Sequence, residues 1–461
     1  MKNKSFHLLL AIITVIALFL RFVDYSIVPP IDEAFDEVHY AWGGATWIEN
    51  GVPKSWSNFD SYKNVENIER YGIRWRLVSP VIEKPPLYFL LSGLTVLLSR
   101  PGDIFDVSHK IIRLLPLVLS VFSVILTGIL ARKIFNKQVA ILATILYGIT
   151  PTIILANRMS VTENLLTPLA LAAIILISQA KIGGIQKVFY VSLISYLSIL
   201  TKQIGVAVSF SFILLLYLKN EFKALKIVII SSFLAFATYA AIGVFYDWQL
   251  FLSLQQNVRI GHTLSGLPEI IADIFRFPTI GPKNHPFLDG TILLGYILLF
   301  SAPLWLGLKD FKTKVFLVFP YTYLILLSIG ESGATPFSFF GWYLYPLLPF
   351  LIILVARLFH DLWQKPTIFL AAFIGLTIGS SLVRFIFLLM PRQFHYLWQY
   401  SYIIVILLLL TAPFLAKKVS KAILVALFTV FIICNVLVDL NLPSIYDKVA
   451  LNDQSLKGFE H

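Results

Sequence analysis

Long apolar runs recur from Phe6 to Leu440, separated by short polar segments and by no long soluble insert. Spanning about 30 Å of hydrocarbon takes roughly 20 helical residues, occasionally about 17. Candidate spans are Leu8–Val23, Ile111–Leu130, Val139–Ala156, Leu165–Ala180, Val188–Leu200, Ile204–Leu218 and Ile227–Phe245. Thr291–Leu308, Val315–Ile329, Trp342–Ala356, Thr367–Leu389, Ser401–Ala416 and Ala422–Val438 complete the set. The expected architecture is an all-α polytopic membrane protein with about thirteen transmembrane helices.

The stretch Pro86–Ser99 decides sidedness. It offers about 14 apolar residues, roughly 21 Å of helix, too short for an easy crossing. As an interfacial helix it puts five later basic clusters on the same side as Lys2 and Lys4: Arg132/Lys133/Lys137, Lys181/Lys187, Lys219/Lys223/Lys226, Lys309/Lys312/Lys314 and Lys417/Lys418/Lys421. That matches the excess of lysine and arginine in cytoplasmic loops. The N-terminus is then cytosolic. The long loop 24–110 and the loop 246–290, both within one membrane domain over residues 1–440, lie outside with a short tail 441–461. The N-terminal segment lacks a small-x-small cleavage site and reads as a retained span.

Composition agrees. The chain is 58% hydrophobic and 13% charged, against about 25% charged in soluble domains. The net charge of +12 sits mostly between spans, which argues for a bilayer partner and against nucleic acid. The single cysteine, Cys434, excludes an internal disulfide and a cysteine-clustered metal site. No glycine-rich phosphate loop appears, so no nucleotide cofactor is expected.

The candidate chemistry gathers on the outer face. Asp36 and Glu37 begin a short interfacial helix, where a carboxylate could take a proton from an attacking hydroxyl or could simply cap the helix. Glu83-Lys84-Pro85-Pro86 fixes an extended approach that holds Lys84 near the headgroups, suited to a lipid phosphate or to ordinary snorkelling. Arg158 and Glu163 flank one tight turn, as an ion pair or with Arg158 facing phosphate. Lys202 stands alone between two short apolar helices, which raises the odds of an anionic partner. Arg259 and His262 follow in the second large outer loop, and His262 could pair with Glu83 around a divalent metal, though a catalytic zinc normally has three protein ligands. Tyr345 opens a later span where an aromatic could line a lipid or sugar groove, and Arg384 lies inside a span near its outer end, where a charge is costly.

Together Arg21, Phe35-Asp36-Glu37-x-His39-Tyr40, Lys84-Pro85-Pro86-Leu87, Arg113-x-x-Pro116, Pro151 with Arg158 to Glu163, and Thr201-Lys202 resemble the protein O-mannosyltransferase and aminoarabinose-transferase group. These are type-C glycosyltransferases that use polyprenyl- or dolichyl-phosphate sugars. The resemblance covers roughly Leu8 to His262, with weaker agreement through Trp342–Pro349. It implies Asp36 as general base with Glu37 beside it, Glu163 as a second acid, Lys84 and Arg259 on the donor phosphate, and a metal held at Glu83 and His262. The soluble sugar-binding modules of eukaryotic mannosyltransferases are missing, as is the Trp-Trp-Asp signature of oligosaccharyltransferases. The expected function is transfer of a sugar from a lipid-phosphate donor to a lipid, glycan or protein hydroxyl at the extracytoplasmic face of the cell membrane. The phosphate would be held by Lys84, Arg158, Lys202 or Arg259. A secondary transporter or lipid flippase is the rival reading. It would place ionisable groups near the midplane, whereas here they crowd one face. A non-catalytic assembly scaffold is the third.

Overall fold

The computed structural model describes residues 3–30, 34–178, 185–260, 271, 274, 289–307, 310–330, 341–444 and 446. Among the described residues each of the thirteen apolar segments is largely helical. Eight helices there are long and apolar enough to cross a membrane, and six further apolar helices are shorter. The thirteen expected spans comprise those eight and five of the shorter six. The sixth is the stretch read as interfacial, found as helix Leu87–Leu98.

The chain begins with α1 (Asn3–Phe22), then α2 (Asp36–Asn50), whose first turn carries both loop acids as the helix dipole favours. A three-stranded antiparallel sheet follows, β1 (Ser55–Trp56), β2 (Val65–Arg70) and β3 (Ile73–Val78), in the order β1-β3-β2. Strands β2 and β3 are joined at Tyr71-Gly72, both at positive φ, the two-residue turn that matches strand twist. The sequence reading expected no strand. The residues that build it are short, and one strand is mostly exposed, so hydropathy carries little of their signal.

Helix α3 (Leu87–Leu98) packs across α2 at the closest approach in this region. A Cβ on Gly44 would fall on the Phe89 carbonyl, and one on Gly93 would fall on the Gly44–Ala45 backbone. Only glycine permits that crossing. It sets the distance between the acid that opens α2 and the lysine that precedes α3.

The expected span Val139–Ala156 is in fact two helices, α6 (Lys137–Ile149) and α7 (Pro151–Ala156), with α4 (His109–Ile112) and α5 (Leu114–Ile134) before them. Proline at the first position of α7 supplies no N–H for a continuous ladder. The carbonyls freed there are taken by Arg21, which donates to Tyr147 and Gly148 at 3.0 Å each and to the Asn157 amide oxygen. Arg158 returns the arrangement. It donates to the carbonyls of Leu20, Arg21, Val23 and Val28 at and just beyond the end of α1. Arg21 therefore satisfies orphan C=O groups at the end of α6, and Arg158 those at and after the end of α1. This locks the turn 157–162, and the start of α8 (Glu163–Ile177), against α1.

Candidate active site

Four chain segments meet at the top of α2: the loop before α3, the turn before α8, the junction after α9 (Ile185–Thr201), and α12 (Trp248–Ile260). Asp36 and Lys84 face each other, with Lys84 Nζ 2.9 Å from Asp36 Oδ2. Both remain partly open, at 29% and 23% exposure for the lysine and the acid, as a substrate-contacting pair requires. Lys84 also lies over the Tyr40 ring at 5.0 Å.

Beside them Lys202 Nζ is 2.7 Å from Glu163 Oε1, and Lys202 sits over the Tyr343 ring at 3.7 Å. Glu163 is buried and accepts a second bond from Thr162 Oγ1. The ion pair considered between Arg158 and Glu163 does not form, because Arg158 donates to the carbonyls of α1 and the segment after it. Tyr345 is buried, and its hydroxyl reaches Met159 Sδ at 3.1 Å, so it braces the 157–162 turn.

Burial acts to raise the Asp36 carboxyl, but the Lys84 ammonium and its hydrogen bond outweigh that and hold the acid below the usual carboxylate range. His39 adds little to that field. Burial, then the nearby Lys84, drive its imidazole down to about 3, so the ring is neutral. Lys84 is pushed up, its burial overcome by Asp36, and stays charged.

Glu83 belongs to a second, deeper layer. Its Oε2 accepts from Ser57 Oγ at 2.9 Å and Tyr62 Oη at 2.8 Å. Its Oε1 lies 3.5 Å from His39 Nε2. Burial raises this carboxyl above the usual range. Gln255 of α12 donates to Tyr239 Oη and approaches the Glu83 carbonyl, which ties α12 to this layer.

Three flagged residues do not join the cluster. Glu37 is fully buried, held bidentately by Arg113 at 2.8 and 2.6 Å, and also accepts from the Ser160 amide. It braces α2 against α5 and the 157–162 turn rather than acting beside Asp36. Arg158 is the helix-end clamp described above. Arg384 pairs with Asp289 at 2.9 Å and with the Asn435 side chain. Asp289 also caps the helix Gly290–Trp305, so this arginine knits later helices together instead of facing phosphate. Arg259 lies on α12, and His262 falls outside the described residues. Among the described residues no group of three or more His, Cys, Asp and Glu gathers as a metal site. Sequence reasoning passed over His39, Ser57 and Tyr62 as site residues. His39 was legible at one helical turn from Asp36, but Ser57 and Tyr62 come from the unforeseen sheet region.

Residues 83–245, about a third of the chain, match the sequence model of the family described as dolichyl-phosphate-mannose-protein mannosyltransferase. No curated protein sequence matches the chain significantly. Among solved structures, ArnT from Cupriavidus metallidurans in the apo state is 13% identical with a TM-score of 0.56, over 96% of this chain and 78% of ArnT. The same protein bound to undecaprenyl phosphate is 12% identical with a TM-score of 0.54, over 95% and 78% of the two chains. The chain therefore shares the polytopic fold of ArnT. The chain is thus similar over residues 83–245 to the mannosyltransferase family, and over most of its length it shares the fold of ArnT.

Proposed function

We propose that this membrane enzyme transfers a sugar from a polyprenyl- or dolichyl-phosphate donor to an acceptor hydroxyl at the extracytoplasmic face. The observation that carries the reading is the Lys84–Asp36 contact at 2.9 Å, set beside the Lys202–Glu163 pair. One cation for a phosphate and one acid for a proton stand together, both partly exposed. The family description names a dolichyl-phosphate sugar, and the ArnT structure that shares the fold holds undecaprenyl phosphate. Both agree with a lipid-phosphate donor.

In this scheme the acceptor oxygen attacks the anomeric carbon while Asp36 takes its proton. The bond from that carbon to the phosphate oxygen breaks, and its electron pair leaves on the lipid phosphate. One displacement inverts the anomeric centre. Lys84 and Lys202 neutralise the growing charge on the leaving phosphate, and the resemblance offers Arg259 as a further cation. Glu163 orients Lys202. A divalent cation at Glu83, once bound, would add charge neutralisation at the same phosphate.

Asp36→Asn tests the base. Purified protein reconstituted with polyprenyl-phosphate sugar should lose about 100-fold or more in turnover, with the donor still bound. Turnover near wild type would remove Asp36 from the role.

A further inference from the structure

Helix Lys417–Leu440 opens on Lys417, Lys418 and Lys421, with no acid in its first turn and no side-chain cap at Ala416. A helix N-terminus carries unbonded N–H groups and partial positive charge, so it disfavours cations and attracts an anion. Ser420, set among these lysines, is 2% exposed, and its Oγ finds no hydrogen-bond partner among the described residues. A buried hydroxyl left unbonded is costly. Ser420, Leu424 and Leu427 recur at i, i+4 and i+7 on the buried face of the helix. Leu424 and Leu427 line an apolar cleft with Leu142 of α6, Trp363 of helix Leu348–Gln364 and Leu409 of helix Tyr396–Thr411. Every residue that lines it is apolar. Lys365, exposed, follows Trp363 by two positions.

We propose that this helix end and the cleft behind it bind an anionic phospholipid. Its phosphate meets the lysines, the free N–H groups and the Ser420 hydroxyl, and one acyl chain enters the cleft. Lysine placement puts this end on the cytosolic side, so the lipid comes from the inner leaflet. The general excess of lysine on that side accounts for the sign of the charge. It does not account for an unbonded buried hydroxyl, nor for an apolar cleft one turn deeper on the same helix face. A phosphate with its attached chain answers both, and basic pockets between spans on this side suit anionic headgroups. Asp361, near Trp363 in sequence, is engaged by Arg357 at 2.9 Å and does not offset the lysines.

Lipid binding tests this without turnover. The full-length protein, delipidated in detergent, is titrated with phosphatidylglycerol or with phosphatidylcholine of the same chains. Native mass spectrometry counts the bound lipid. Wild type should bind one phosphatidylglycerol at least about 10-fold more tightly than phosphatidylcholine. The triple change Lys417→Gln, Lys418→Gln, Lys421→Gln should remove that preference, since each lysine near an anionic headgroup contributes roughly 5-fold. Ser420→Ala should weaken binding several-fold, and so should Leu427→Trp, which fills the cleft. A matched triple in other basic loops, Lys223→Gln, Lys226→Gln, Lys314→Gln, should leave it unchanged. Melting curves check folding, and the exposed-lysine changes serve where Leu427→Trp does not fold. Equal affinity for the two lipids, preference kept in the first triple, or equal loss in the second would overturn the assignment. Displacement of the lipid by inorganic phosphate, with no effect of Leu427→Trp, would reduce the site to one for free anions and overturn it too. None of these outcomes touches the glycosyl-transfer reading, which Asp36→Asn tests separately.

Discussion

Asp36 and Glu37 are neighbours in sequence, yet they serve opposite ends. Successive helical positions are about 100° apart, so Asp36 faces Lys84 while Glu37 turns inward to Arg113. Residue type alone marked both. Their separation needed the Arg113 partner, 76 positions away in the chain. Arg158 and Arg384 misled for a related reason. A buried arginine reads as functional, but each is satisfied by groups distant in sequence. The Lys84–Asp36 pair gives a pH prediction. Because the Asp36 pKa is depressed, its base form persists as pH falls through the ordinary carboxylate range and disappears only below it. Lys84→Met removes the main depressing charge, so the acid limb of kcat should move to higher pH by about 1–3 units, the range for a lost close ion pair. A kcat profile unchanged in Lys84→Met would separate Asp36 from the titrating base.

At the scale of elements, the apolar runs were legible because burial in lipid demands continuous hydrophobicity whatever the tertiary contacts. The break at Thr150–Pro151 was marked by the proline, but a run of apolar residues on both sides masked it. The hairpin of β2 and β3 was invisible to span-finding. Its signal is the alternation Ile73, Trp75, Leu77 beside Tyr71-Gly72. The α2–α3 crossing carries its own test. Gly93→Ala should push the helices apart, shift Lys84 from Asp36, and cut transfer at least about 10-fold while the chain still inserts. Expression, detergent extraction and an activity assay would read it. Full activity would mean the crossing tolerates the methyl group.

Across the whole molecule, sidedness was argued from lysine and arginine placement. Asn58, in the first large loop, and Asn220, between two helices, are both exposed. Single cysteines there, in a background where native Cys434 is buried, should behave oppositely toward an impermeant maleimide. Asn58→Cys should label in sealed cells, and Asn220→Cys only after the membrane is opened. Labelling of Asn220→Cys in sealed cells, with Asn58→Cys reached only after opening, would reverse the topology and move the site to the cytosol. The placement of the 157–162 turn beside α2 could not be read from the chain, because the Arg21–Arg158 exchange that fixes it against α1 uses contacts more than a hundred positions apart.

The 2.9 Å contact between Lys84 and Asp36 bears on how a cycle finishes. Once the sugar has gone, the spent lipid carrier must give up the lysine. A carboxylate fixed at bonding distance is an internal competitor for that cation at high effective concentration. On the proposed reading, recovery of the proton-free acid after each round would weaken the hold on the product, so the group that starts the chemistry would also help to release it.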